Sequence, residues 1–176
     1  MSAPAPDPEL AADSTGLYDM ATEVLDRVYG VFASAGVSLP DRRYVHVGAI
    51  AHDCEQVVAT FRQAYIGPPG DEAATPQRCD GPRSAALEVH VIRCVPGPTA
   101  RGGAPSVADM NESARTQLVD AWLLLDAASA LDTWGMPSMG GLGVIATVEA
   151  GEPQGKFQAV VLNIAAGVPG GSQFGP

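Results

Sequence analysis

The sequence predicts an α+β domain: a mainly antiparallel sheet of about five strands with two principal helices packed on one face. Three observations carry this. Two long stretches, about 15–35 and 107–131, repeat apolar residues at helical spacing. Several shorter stretches alternate apolar and polar residues, most clearly over 84–95. Runs rich in Gly and Pro separate them, in the order helix, three strands, helix, two strands. Strand groups divided by a lone helix favour antiparallel pairing over a repeated strand–helix–strand plan. At 176 residues the chain is expected to form one domain, with flexible tails over 1–12 and 169–176 and the folded unit over 13–168. Apolar residues make up 46% and aromatics only 6%, so Val, Leu, Ile and Ala must fill the core.

In the first helix Leu17, Ala21, Val24, Leu25, Val28, Val31 and Phe32 share a stripe. Asp13, Ser14 and Thr15 offer cap oxygens before it, and Gly36 follows as the left-handed residue that stops it. After Pro40, residues 44–50 read as a strand with Val45, Val47 and Ala49 alternating. A second strand, 54–65, puts Val57, Ala59 and Phe61 on one face. In the third, 84–95, Leu87, Val89 and Val91 face one way and Glu88 and His90 the other. Ser106 is placed to cap the second helix, where Leu118, Trp122, Leu125 and Leu131 read as the core stripe with Ala121 and Ala128. Gly135 and Pro137 end it. The last strands are 142–149 (Leu142, Val144, Ala146, Val148) and 156–165 (Phe157, Ala159, Val161), a hairpin turned by Glu152-Pro-Gln-Gly155.

A net charge of −10 repels phosphate, so tight binding to duplex DNA is not expected, although an acidic wall lets DNA slide past without sticking. There is no Lys/Arg cluster for an anionic membrane, and no apolar run approaches the roughly 18 residues of a membrane-spanning helix. The amino-terminal residues lack the basic start and apolar stretch of a signal peptide. The expected setting is therefore a reducing cytoplasm, and Cys54, Cys79 and Cys94 do not read as a disulfide framework.

His52-Asp53-Cys54 brings together a base, a carboxylate and a thiol, and His52 and Cys54 at i and i+2 of a strand point the same way. A cysteine nucleophile also needs a depressed pKa and an oxyanion site, and no surrounding signature supplies either. A zinc site would draw on Cys54, Cys79, Cys94, His46, His52 and His90, but the close ligand pairs of structural zinc are missing. A small Cys/His enzyme is thus the remote reading; no catalytic residue, metal or cofactor is expected. Gly140-Gly-Leu-Gly143 follows a helix and does not fit a phosphate-binding loop.

The cysteines have a structural reading. If strands 54–65 and 84–95 pair antiparallel, joining Tyr65 to Arg83 gives paired numbers the sum 148, which also sets Cys54 opposite Cys94. That pair is expected to pack as small apolar residues when reduced and to be able to form a disulfide in an oxidised particle. Trp122 and Trp134 read as packing or as interface anchors. Asp109, Glu112, Asp120, Asp126 and Asp132 read as a solvated helix face or an acidic channel lining. The long loop over 67–83, with Gly67, Pro69, Gly70, Asp80 and Arg83, is expected to reach a neighbouring subunit.

Cys54-Glu-Gln-Val-Val, the loop ending Cys79-Asp-Gly-Pro-Arg-Ser84, the strand ending Val91-Ile-Arg-Cys-Val-Pro96 and Glu152-Pro-Gln-Gly-Lys-Phe157 before an apolar strand together resemble tail terminator (head-to-tail connector) proteins of long-tailed actinobacterial phages. The likeness covers roughly residues 15–168. It implies a virion protein assembled in the host cytoplasm: a homo-oligomeric ring, a hexamer, that caps the tail tube protein, stops its polymerisation and meets the head-side connector or stopper. DNA would pass through the lumen without specific binding. A head-side neck protein, a stopper or adaptor, is the alternative within the same structural class.

Overall fold

In the computed structural model, the described residues are 8–51, 55–70, 83–98, 102–133, 144–151 and 156–168. The elements are α1 (Pro8–Ser34), β1 (Arg43–Val47), β2 (Gln56–Ile66), β3 (Arg83–Cys94), α2 (Val107–Thr133), β4 (Ile145–Ala150) and β5 (Phe157–Gly167). They form an α+β fold with a five-stranded mixed sheet, mostly antiparallel, in the order β1-β2-β3-β5-β4.

The first helix begins earlier than expected. Pro8 opens it, as proline tolerates the first helical position, and Glu9, Leu10, Ala11 and Ala12 favour helix. The expected tail over 1–12 is therefore helical from residue 8, and Asp13, Ser14 and Thr15 lie inside the helix rather than capping it. Its end follows the expectation. Gly36 adopts φ 70°, its N–H donates to the Ala33 carbonyl at 3.0 Å, and the Val37 N–H reaches back to the Phe32 carbonyl at 2.9 Å. Residues 1–7 and the expected tail over 169–176 lie outside the described residues.

β1 runs parallel to β2, with Arg43 opposite Val57 and Val47 opposite Phe61, so the connection between the two strands is a return rather than a hairpin. Gly48 at φ 93° and Glu55 at φ 55° make the left-handed steps at the two ends of that return. Gln56, fully buried, ties it down: its amide donates to the Ala51 carbonyl at 2.7 Å, and its carbonyl accepts from the Tyr44 hydroxyl at 3.3 Å. The three long strands β2, β3 and β5 sit centrally, and the shorter β1 and β4 form the edges. β4 and β5 pair antiparallel as expected, from Ile145 opposite Ala165 to Ala150 opposite Val160; the turn at 152–155 lies outside the described residues.

One cluster of buried residues forms the main core. It unites Met20, Val24, Leu25, Val28 and Phe32 of α1 with Leu124, Ala127 and Leu131 of α2, and both with Val57, Ala59, Leu87, Val89, Val91, Val160, Leu162 and Ile164 of the sheet. On β5 this is the even-numbered set. Phe157, Ala159 and Val161 point instead to a smaller cluster with Ile50 and Ile92 on the opposite side of the pleat.

α2 departs most from its expected orientation. Ser106 caps it as expected: its Oγ accepts from the Asp109 N–H at 3.1 Å and donates to Asp109 Oδ2 at 2.7 Å. The core stripe, however, is Leu123, Leu124, Ala127, Ala128 and Leu131, while Leu118, Trp122 and Leu125 face outward. The helix carries two apolar stripes, and periodicity alone does not choose between them. Asp120, expected on a solvated face, is fully buried on the inner side.

Candidate assembly surface

The predicted β2–β3 pairing exists, and its sum of 148 holds from Gln56–Ile92 to Phe61–Leu87. A register shift between Phe61 and Gln63 then moves the pairing by one, so Tyr65 meets Ser84 and Ile66 meets Arg83. Cys94 ends β3, is exposed and is disulfide-bonded. Cys54 and Cys79, its only possible partners within the chain, lie outside the described residues.

The remaining residues of interest for chemistry are dispersed. His46 at the β1 edge donates through Nε2 to the Ala49 carbonyl at 3.0 Å. His90 of β3 donates through Nε2 to Glu88 Oε2 at 2.9 Å, and Arg62 of β2 reaches Glu88 Oε1 at 3.0 Å. His52 and Asp53 lie outside the described residues. Among the described residues no group of three or more His, Cys, Asp or Glu side chains is arranged to hold a metal ion. Nor, among them, is any helix long and apolar enough to cross a membrane.

The start of the 67–83 loop folds against its own sheet. The Gly67 carbonyl accepts from Ser84 Oγ at 2.6 Å, and the Gly70 N–H donates to the Tyr65 hydroxyl at 2.9 Å. Gly70 sits at φ 85° directly over Ile145 of β4, where a β-carbon would lie 2.5 Å from Ile145 Cδ1. Pro69 belongs to the same turn, and Arg83 is the first residue of β3 rather than part of the loop, its carbonyl accepting from the Val168 N–H at 2.9 Å. Asp80 lies outside the described residues. Beside Gly70 a groove of about 590 Å³ opens on the sheet, lined by Arg62, Glu88, Ile145, Thr147, Glu149 and Asn163. Its two carboxylates are paired within it: Glu88 with Arg62, and Glu149 with the Asn163 amide at 3.1 Å.

The strongest surface feature is the outer face of α2. Leu118 is 72% exposed, Trp122 68% and Leu125 41%, one above another at helical spacing, with Val119 beside them. Of the two readings of Trp122, core packing and interface anchor, the structure removes the first. The acidic residues of α2 split by role: Asp109 serves the cap, Glu112 pairs with Arg115, Asp120 pairs with Arg93 inside, and Asp126 borders a groove shared with α1. The sequence signal that distinguishes Asp120 is its position among Leu123, Leu124 and Ala127, at i+3, i+4 and i+7.

No protein-family model matches the chain, and no curated protein is significantly similar to it.

Proposed function

We propose that this chain is a structural virion protein, the tail terminator of a long-tailed phage, which forms a ring on the tail tube, stops its growth and joins it to the head-side connector. The observation that carries the reading is the exposed stripe of Leu118, Trp122 and Leu125 on α2. A contiguous apolar patch with a central Trp, on a chain whose net charge is −10, is the composition of a protein–protein contact. The sequence resemblance supplies the kind of assembly. A ring of about six such chains would carry a strongly negative charge, which discourages DNA from adhering to the lumen during passage.

Electron microscopy of particles made without this gene tests the proposal. Tail tubes of uncontrolled length, detached from heads, are the expected result. Tails of normal length beside heads that fail to join them would overturn it and move the protein to the head side of the joint.

A further inference from the structure

We propose that the two open edges of the sheet are the two halves of one contact, in which β4 of one copy pairs antiparallel with β1 of a second copy. Among the described residues no strand lies outside β1 or β4, so each edge leaves a row of backbone groups unpaired within the sheet. The Arg42 carbonyl accepts from the Val57 N–H, so alternation turns the N–H and C=O of Arg43, Val45 and Val47 away from β2. On the other edge the Gly151 N–H donates to the Ala159 carbonyl, which turns those of Ala146, Val148 and Ala150 away from β5.

Direction and chemistry agree. β1 and β2 are parallel and the other neighbours antiparallel, so β4 runs opposite to β1 and two copies laid edge to edge meet as antiparallel strands. Same-face pairing then sets Arg43 opposite Ala150, Val45 opposite Val148 and Val47 opposite Ala146, all on the side of the main core. Tyr44 falls opposite Glu149 and His46 opposite Thr147 on the other side. At the β1 edge Arg43 is taken up by Asp26 of α1 at 2.9 Å, which leaves Arg42 as the cation of that edge beside Asp41, whereas the only charge in β4 is Glu149. In this register Arg42 is the diagonal neighbour of Glu149, within reach of a long side chain. Arg42 lies over Tyr44 at 5.6 Å, and Glu149 is held by Asn163, so both charges are stationed at their edges. Val47, 73% exposed, and Ile145, 51% exposed, add apolar surface to the two edges. Neither strand contains the Pro or Lys that commonly guards an edge.

Because β1 and β4 are different surfaces, the contact is head-to-tail and propagates; a rotation that closes gives a ring. The inference rests on the ring reading only for that closure. The contact itself is a property of the purified chain.

Sedimentation velocity of the full chain across a concentration series tests it. The wild type is expected to associate, and Val47→Pro, which removes an outward N–H, and Glu149→Arg, which faces Arg42 with a like charge, are each expected to weaken association about tenfold or more. Combining Arg42→Glu with Glu149→Arg should restore it to within about threefold, with circular dichroism unchanged throughout. If Val47→Pro fails to fold, the charge exchange decides the matter alone. A wild type that stays monomeric to about millimolar concentration, or folded single variants that associate like the wild type, would overturn the proposal. Edge-dependent association in a protein whose loss leaves tail length normal would keep this contact and discard the terminator.

Discussion

Arg93 of β3 and Asp120 of α2 form a two-point ion pair across the boundary between sheet and helix. Nε lies 2.6 Å from Oδ2 and Nη2 2.9 Å from Oδ1, while Nη2 also donates to the Ser38 carbonyl at 3.1 Å. One guanidinium thereby joins β3, α2 and the segment after α1. Asp120 is fully buried and the Arg93 side chain is 17% exposed. The hydrogen bond to Asp120 holds the Arg93 pKa above its ordinary value, against the opposing effect of burial.

Removing one partner strands the other. Arg93→Ala is expected to destabilise the fold by about 3–5 kcal/mol in urea denaturation, since it leaves a buried carboxylate unpaired. The double change Arg93→Met with Asp120→Leu should recover most of that loss. A single variant as stable as the wild type would show that the pair contributes nothing.

Trp122 should behave in the opposite way. Trp122→Ser is expected to alter stability by no more than about 0.5 kcal/mol, because the side chain is exposed, yet, under the proposed terminator role, to impair assembly in a complementation assay with gene-deleted phage. A large fall in melting temperature with normal particle assembly would place Trp122 in the fold and not in a contact.

Gly70 combines a positive φ with a close approach to Ile145. Gly70→Ala should cost about 1–3 kcal/mol from backbone conformation, and more from the clash with Ile145 Cδ1. Adding Ile145→Ala should remove the clash and leave the backbone cost, which chemical denaturation of the single and double variants separates.

Thr60 is 2% exposed, and its hydroxyl finds no hydrogen-bond partner among the described residues. Thr60→Val replaces an unsatisfied buried hydroxyl with a methyl of similar shape. It is expected to raise stability by about 1 kcal/mol, read as a higher denaturation midpoint at unchanged slope.

The Cys94 disulfide should contribute about 2–4 kcal/mol, lost in Cys94→Ala or on reduction. The sum of 148 that relates Gln56 to Ile92 also relates the numbers 54 and 94. A non-reducing peptide map is therefore expected to join Cys94 to Cys54; a link to Cys79 would reject that extension of the register.

By itself the sequence determined the element types and their order, the faces of β2 and β3, the caps at Gly36 and Ser106, and the β2–β3 pairing. These rest on local physics: period-two alternation, a glycine at positive φ, a hydroxyl that meets the first free N–H groups of a helix, and antiparallel strands whose paired numbers share a sum. Even there, the sum was anchored one residue away from the true pairing at the loop end, and the irregularity after Phe61 brought the far half to 148. Only the tertiary structure decided the rest. The parallel placement of β1 depends on Gln56 and a return segment with no signature of its own. The inner face of α2 depends on where Arg93 lies, because a buried Asp120 is tolerable only beside that guanidinium, and turning it inward turns Leu118, Trp122 and Leu125 out. The exposed surfaces that suggest assembly are thus set by long-range pairings, which local periodicity does not encode.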